Sequence, residues 1–174
     1  MFSPFPPLAR RLRIAAAVLG LAALTGCGFQ LRGPQPLAFA SIHIGAQSYS
    51  PLSIALRRQI ALSGATTVEE DASRAEVRLQ ILANERTREI LSLTPAGKVR
   101  EYELGQRIRF RLLGPGDAEL MPPVTITARR EYTFDDTLIL GKEQEEALLY
   151  RDIEDDLVRQ IARRLAAWRR PASN

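Results

Sequence analysis

From residue 37 onward, apolar and polar positions fall into runs with readable periods. Residues 39–45 alternate, with Ile42 and Ile44 on one face and Ser41 and His43 on the other, which predicts a short strand closed by Gly45. His43, on the outward face, reads as a solvated strand residue. The next run has a period near four, carried by Leu52, Leu56 and Ile60. Ser50 before it is a capping residue and Pro51 suits a first helical position. Gly64 stands where a helix C-terminus takes a left-handed residue.

Residues 76–93 open as a strand, with Val77, Leu79 and Ile81 on one face. The pattern falters over Asn84–Glu89 before Ile90, Leu91 and Leu93, so a bulge or twist is expected there. Thr94-Pro95-Ala96-Gly97 is turn chemistry. The return strand puts Tyr102, Leu104, Ile108, Phe110 and Leu112 on one face and Glu101, Glu103, Arg107, Arg109 and Arg111 on the other. The two segments predict a long antiparallel hairpin. Gly114-Pro115-Gly116-Asp117 turns the chain into a further strand over 124–134, with Val124, Ile126, Tyr132 and Phe134 in phase. Asp135 and Asp136 then begin a loop.

The last run predicts a helix of about 26 residues, Glu143 to Trp168. Leu149, Ile153, Leu157, Ile161 and Leu165 form its apolar stripe, which needs a sheet to cover it. Glu143, Glu145 and Glu146 crowd its start and Arg163, Arg164, Arg169 and Arg170 its end, complementing the helix dipole; Pro171 stops it. The order β-α-β-β-β-α predicts an α+β domain, a two-layer sandwich with two helices packed on one face of a four-stranded sheet.

The N-terminal residues carry a different pattern. Arg10, Arg11 and Arg13 precede eleven apolar residues, Ile14 to Leu24, and then Thr25, Gly26 and Cys27. Eleven are too few for a bilayer core, which needs roughly 20. A basic segment, a short apolar core and small residues before a cut site mark a secretory signal. Leu24-Thr25-Gly26-Cys27 looks like a lipobox, in which the thiol takes a diacylglycerol and a peptidase cuts just before it. The reading is therefore a cleaved signal over 1–26, a lipidated N-terminus and tether over 27–36, one domain over 37–170 and a tail over 171–174. Gly33-Pro34-Gln35-Pro36 supplies the stiff tether. Gly28 follows the cysteine where an Asp would favour the inner membrane, so the outer membrane is the expected address.

Composition narrows the chemistry. Cys27 is the single cysteine and His43 the single histidine, which leaves no disulfide, cysteine nucleophile or multi-histidine metal site. No cofactor or metal is expected. Three of the 24 basic residues and none of the 20 acidic ones lie in the signal, so 21 stand against 20 in the remainder. Such a balance gives no reason to expect nucleic acid as a partner. Neither a G-x-S-x-G elbow nor a phosphate-binding glycine loop is present. Asp135–Asp136 and Asp155–Asp156 are adjacent carboxylates that point apart, read as solvated charges of a turn and a helix. No set of acid, base and nucleophile suggests a lipid-anchored hydrolase, and an enzyme is not expected.

Arg107, Arg109 and Arg111 form a basic stripe on the strand face away from the helices, with Arg86, Arg88, Arg129 and Arg130 expected nearby. Guanidinium forks suit phosphate and carboxylate. The stripe fits an anionic glycolipid, a wet protein surface, or a solvated face balanced by Glu85, Glu89 and Glu131.

Several segments, in order, resemble one known family. Cys27-Gly28-Phe29-Gln30-Leu31-Arg32-Gly33 resembles the start of mature LptE, the lipopolysaccharide-assembly lipoprotein. Pro51-Leu52 at the first helix, Gly97 with Glu101-Tyr102 in the hairpin, Arg129-Arg130-Glu131-Tyr132 and Leu149-Tyr150-Arg151-Asp152 continue the likeness, which ends with Gln160, Arg164 and Leu165. The resemblance implies a non-catalytic plug inside the large outer-membrane barrel LptD, which it helps to assemble while assisting delivery of lipopolysaccharide to the cell surface. It further implies a lipid-anchored protein on the periplasmic side of the outer membrane or within the barrel lumen. Lipopolysaccharide binding, in that family, uses basic residues near the hairpin tip and just before the last helix. Lys142 matches the second place; at the first, Pro95 stands at the aligned position and Lys98 is the nearby charge. The stripe of Arg107, Arg109 and Arg111 is the expected barrel or anion contact. The alternative is an outer-membrane lipoprotein that scaffolds another envelope-assembly machine.

Overall fold

The computed structural model describes residues 36–46 and 50–169. The signal, Cys27, the tether as far as residue 35, Arg170 and the tail over 171–174 lie outside the described residues. The elements are β1 (Ser41–Gly45), α1 (Pro51–Ala61), β2 (Thr67–Glu69), β3 (Val77–Leu93), β4 (Val99–Leu113), β5 (Glu119–Thr133) and α2 (Ile139–Ala167). Short 3-10 turns lie at Pro115–Asp117 and Asp136–Leu138.

The sheet has five strands in the order β2-β1-β3-β4-β5, not the four expected. The additional strand, β2, runs parallel to β1 at the edge, with Ser41 opposite Thr67 and His43 opposite Glu69. Three residues are too short to show a period, so pattern alone does not reveal it. Its anchors are the amide of Thr67 on the Ala40 carbonyl (2.9 Å) and the hydroxyl of Thr66 on the Phe39 carbonyl (3.0 Å). The same edge changes the reading of His43. Its ring is half-buried, with Nδ1 3.1 Å from the Glu69 carbonyl oxygen. β1 is parallel to β3 as well, whereas β3, β4 and β5 form an antiparallel meander.

Both helices lie on one face. Ser50 caps α1, its hydroxyl accepting from the Ser53 amide at 3.2 Å, and Pro51 occupies the first turn. Gly64 adopts φ +73° just beyond the helix, the left-handed geometry for which glycine carries no Cβ penalty. α2 lies over β4 and β5 and against α1. Its stripe, Ile153, Leu157, Ile161 and Leu165, is fully buried against Leu104, Ile108, Phe110 and Ile126. Each such side chain contributes roughly 1.5–3 kcal/mol of burial. Trp168 closes the end of this layer, its indole N–H donating to the Leu120 carbonyl at 3.0 Å and its ring 6.2 Å from Phe39. α2 begins at Ile139, four residues before the expected Glu143. Leu138, Ile139 and Leu140 are exposed, so no buried stripe marks this first turn. Asp135 caps the 3-10 turn that leads into it, accepting from the amide (2.9 Å) and hydroxyl (2.7 Å) of Thr137.

The hairpin is bulged, but not where the pattern falters. Ala83 to Ile90 pair regularly with Arg109 to Tyr102. The irregularities flank that stretch: Leu82 is the extra residue between Ile81 and Ala83, and Leu91 the extra one between Ile90 and Ser92. An extra residue shifts a strand's side chains to the opposite faces. Before Leu82, the odd positions Val77 and Leu79 face the helices; after it, the even ones do, including Asn84, Arg86 and Arg88. This phase change decides which side of the sheet Arg86 and Arg88 face.

Candidate functional site

The hairpin tip and the turn before α2 are brought together at one end of the molecule, here the distal end. Phe134 donates its amide to the Arg100 carbonyl at 2.8 Å, and Lys98 Nζ lies 2.7 Å from Asp136 Oδ2. Gly97 (φ +78°) allows the tight turn, and the Thr94 amide donates to the Lys98 carbonyl at 2.7 Å. Lys98 and Lys142, 44 positions apart by number, thus reach the same loop. Asp136 holds the Lys98 ammonium above its ordinary pKa by a hydrogen bond. The Thr137 amide holds the Asp135 carboxyl below its ordinary value, with both lysines adding to that effect. Lys142 is mostly covered and pairs with Glu145 at 2.7 Å, while Lys98 remains exposed. Leu138, Ile139 and Leu140 stand beside them in a shallow groove of about 660 Å³ that Lys142 also lines. Cationic heads next to exposed apolar side chains can receive an amphiphile with an acidic head group.

Below the tip, a cleft of about 830 Å³ opens between the sheet and the first half of α2. Sequence pattern placed Arg86 and Arg88 with the basic stripe, but the Leu82 bulge turns them into this cleft. The Arg88 guanidinium sits 3.9 Å from the Tyr102 ring centre, donates to the Tyr132 hydroxyl at 3.3 Å and pairs with Glu146 at 3.3 Å. Arg86 pairs with Glu154 at 3.0 Å and lies 5.0 Å from the Tyr150 ring centre. Arg130, also on the helix side, pairs with Asp152 at 2.7 Å. Burial, reinforced by Glu146, pushes the Tyr132 phenol up to about 12, so it stays protonated near neutrality. Three tyrosines from segments quoted above for the family likeness line this cleft: Tyr102, Tyr132 and Tyr150. The signal available in the sequence was this set of tyrosines on adjacent elements; their arginine partners were hidden by the bulge.

Arg107, Arg109 and Arg111 lie on the open face of the sheet, away from the helices, and Arg129 joins them there. Arg107 donates to Glu85 at 2.5 Å, directly across the hairpin, and this hydrogen bond raises its pKa. Arg111 donates to Gln80 at 2.7 Å and Arg129 to Glu103 at 3.1 Å. Of the carboxylate pairs, Asp135 serves the turn, while Asp155 and Asp156 meet Arg58 (3.9 Å) and Arg159 (3.7 Å). No helix among the described residues is long and apolar enough to cross a membrane.

Comparisons with known proteins identify the family. The model of the LptE lipopolysaccharide-assembly family matches residues 39–165. The LPS-assembly lipoprotein LptE of Pectobacterium atrosepticum is 36% identical over 163 residues, covering 90% of this chain and 82% of that one. The solution structure of lipoprotein B from Nitrosomonas europaea superposes with a TM-score of 0.70 at 36% identity, over 80% of this chain and 91% of that chain. The crystal structure of rare lipoprotein B from Shewanella oneidensis gives 0.64 at 26% identity, over 73% and 94%. The residues matched by the family model include α1, the whole hairpin and α2 as far as Leu165, and the chain belongs to the LptE family.

Proposed function

We propose that this protein is an outer-membrane lipoprotein that seats in and helps assemble an LptD-like β-barrel, and assists delivery of lipopolysaccharide to the cell surface. It catalyses no reaction in this role. The observation that carries the reading is the family match over residues 39–165, a span that includes the distal end as well as the core. In this reading Cys27, freed by removal of residues 1–26, holds the lipid, and the tether to residue 36 links it to a domain spanning 37–170. The distal end supports the second half of the proposal. Lys98 and Lys142 suit lipopolysaccharide phosphates, and Leu138, Ile139 and Leu140 suit its acyl chains. The polar, charge-paired open face supports the first, because a plug in a watery lumen needs a hydrated circumference.

Affinity purification from detergent-solubilised outer membranes tests the proposal. A large β-barrel at fixed stoichiometry, identified by mass spectrometry, is the expected result. Its consistent absence from a strain that makes lipopolysaccharide would overturn the assignment and favour a scaffold of another envelope-assembly machine.

A further inference from the structure

The five arginines that the strand register places on the open face are not equivalent. Arg78 pairs with Asp117, Arg107 with Glu85 at 2.5 Å, and Arg129 with Glu103 at 3.1 Å. Arg111 donates to Gln80 at 2.7 Å and lies 4.0 Å from Glu119. Arg109, in the middle of the stripe, is exposed and its side chain has no hydrogen-bond or ion-pair partner among the described residues. Its cross-strand neighbours explain this: Ala83 stands opposite it on β3 and Thr125 on β5. Neither carries a charge, and both are short. Arg107 and Arg111, two positions away on the same strand, repel it. The guanidinium therefore stands clear of the face, ringed by charges that are already satisfied.

We propose that Arg109 is the anchor through which the open face docks on a carboxylate of a protein partner. For the partner's identity the inference rests on the proposed function, which supplies a β-barrel wall. A free fork inside a ring of neutralised charges is the pattern of an interface hot spot, where one arginine contributes strongly and its neighbours exclude water. The occupant is a protein rather than an anionic lipid because of the row three places further along the face. There Glu89 and Glu131, both exposed, flank Glu103 on β3 and β5; Arg129 already pairs with Glu103, and the two outer carboxylates would repel a sheet of phosphates. A protein wall can alternate its charges to match.

The test compares Arg109→Ala, Arg109→Lys and Arg107→Ala with the unmodified protein. Each is purified from detergent-solubilised outer membranes and its co-recovered β-barrel quantified. Arg109→Ala should lower recovery by about tenfold or more, equivalent to about 1.4 kcal/mol. Lysine, with charge but no fork, should restore part of it. Arg107→Ala, which removes an arginine already paired within the chain, should change recovery by less than about threefold. The thermal unfolding midpoint of Arg109→Ala should stay that of the unmodified protein, since no intramolecular pair is lost. If the unmodified protein recovers a barrel and Arg109→Ala recovers as much, the anchor is overturned while the proposed function stands. If the unmodified protein recovers none, both fall. Weaker binding of Arg109→Ala to phosphatidylglycerol vesicles, with barrel recovery intact, would overturn the protein partner in favour of a lipid.

Discussion

β3 and β4 are the two arms of one hairpin, 17 and 15 residues long, and their surroundings differ sharply. From Leu104 to Leu113, β4 is bonded on both sides and covered by α2, so its inward residues are fully buried. β3 is like this only as far as Gln80, where β1 ends beside it. From Leu82 to Leu93 it has no strand on its outer side, and only Ala83 and Ser92 are even half-buried. The same strand geometry thus produces a core in one arm and a charged surface in the other. What decides is coverage, not β-propensity. Stability resides in the inward side of the covered arm, whereas the proposed contacts lie on its open side and at the hairpin tip.

The largest effect should come from breaking the covered side. Leu157→Ala on α2 removes a fully buried side chain and should cost about 2–5 kcal/mol, whereas Leu93→Ala on the exposed arm should cost less than about 0.5 kcal/mol. Urea unfolding of a soluble version beginning after Cys27 measures both. Equal losses at the two positions would erase the contrast between the arms.

Much of this division was legible in the residues. The α2 stripe, the β4 alternation and the Ser50–Pro51 helix start announce themselves because burial imposes a period. β2 did not, being three residues held by backbone bonds and by Thr66. The Leu82 bulge did not either. A leucine at a bulge looks like any strand leucine, yet it moved Arg86 and Arg88 from the open face into the cleft. Only the family resemblance links Lys98 and Lys142 in the sequence, and the fold brings them to one end.

A smaller effect, and one that depends on pH, sharpens the boundary between the arms. Tyr132 lies where the covered region meets the cleft, with its phenol raised from 10.0 to about 12 by burial and then by Glu146. A folded value above the unfolded one means that its contribution is fully present below pH 10. It is lost as pH rises through about 12. Tyr150, raised by burial, acts in the same direction. Unfolding free energy should therefore fall by on the order of 2 kcal/mol over that window on account of Tyr132. In Tyr132→Phe this part of the slope should disappear, and an unchanged slope would show that the phenol titrates as if exposed.

The smallest effect on folding, and the most telling for function, belongs to the tip. The Lys98–Asp136 pair is exposed on both sides, so solvent screens it and its loss should barely move the urea midpoint. Lys142 is more covered, but its acid partner is a neighbour on the same helix, and such pairs contribute only a few tenths of a kcal/mol. Lys98→Asp and Lys142→Asp should both fold normally. Each puts a carboxylate among Asp135, Asp136 and Glu145, turning a site poised for acidic head groups into one that repels them. Lipopolysaccharide binding by the purified domain should weaken severalfold in either variant and further in the double variant, while barrel recovery stays intact because the open face is untouched. Lys142→Asp should have the larger effect, since its ammonium lines the groove beside Leu138, Ile139 and Leu140, where head and chains of one amphiphile are received together. Unimpaired binding in the double variant would move lipopolysaccharide recognition away from this end, and leave its exposed leucines to another role.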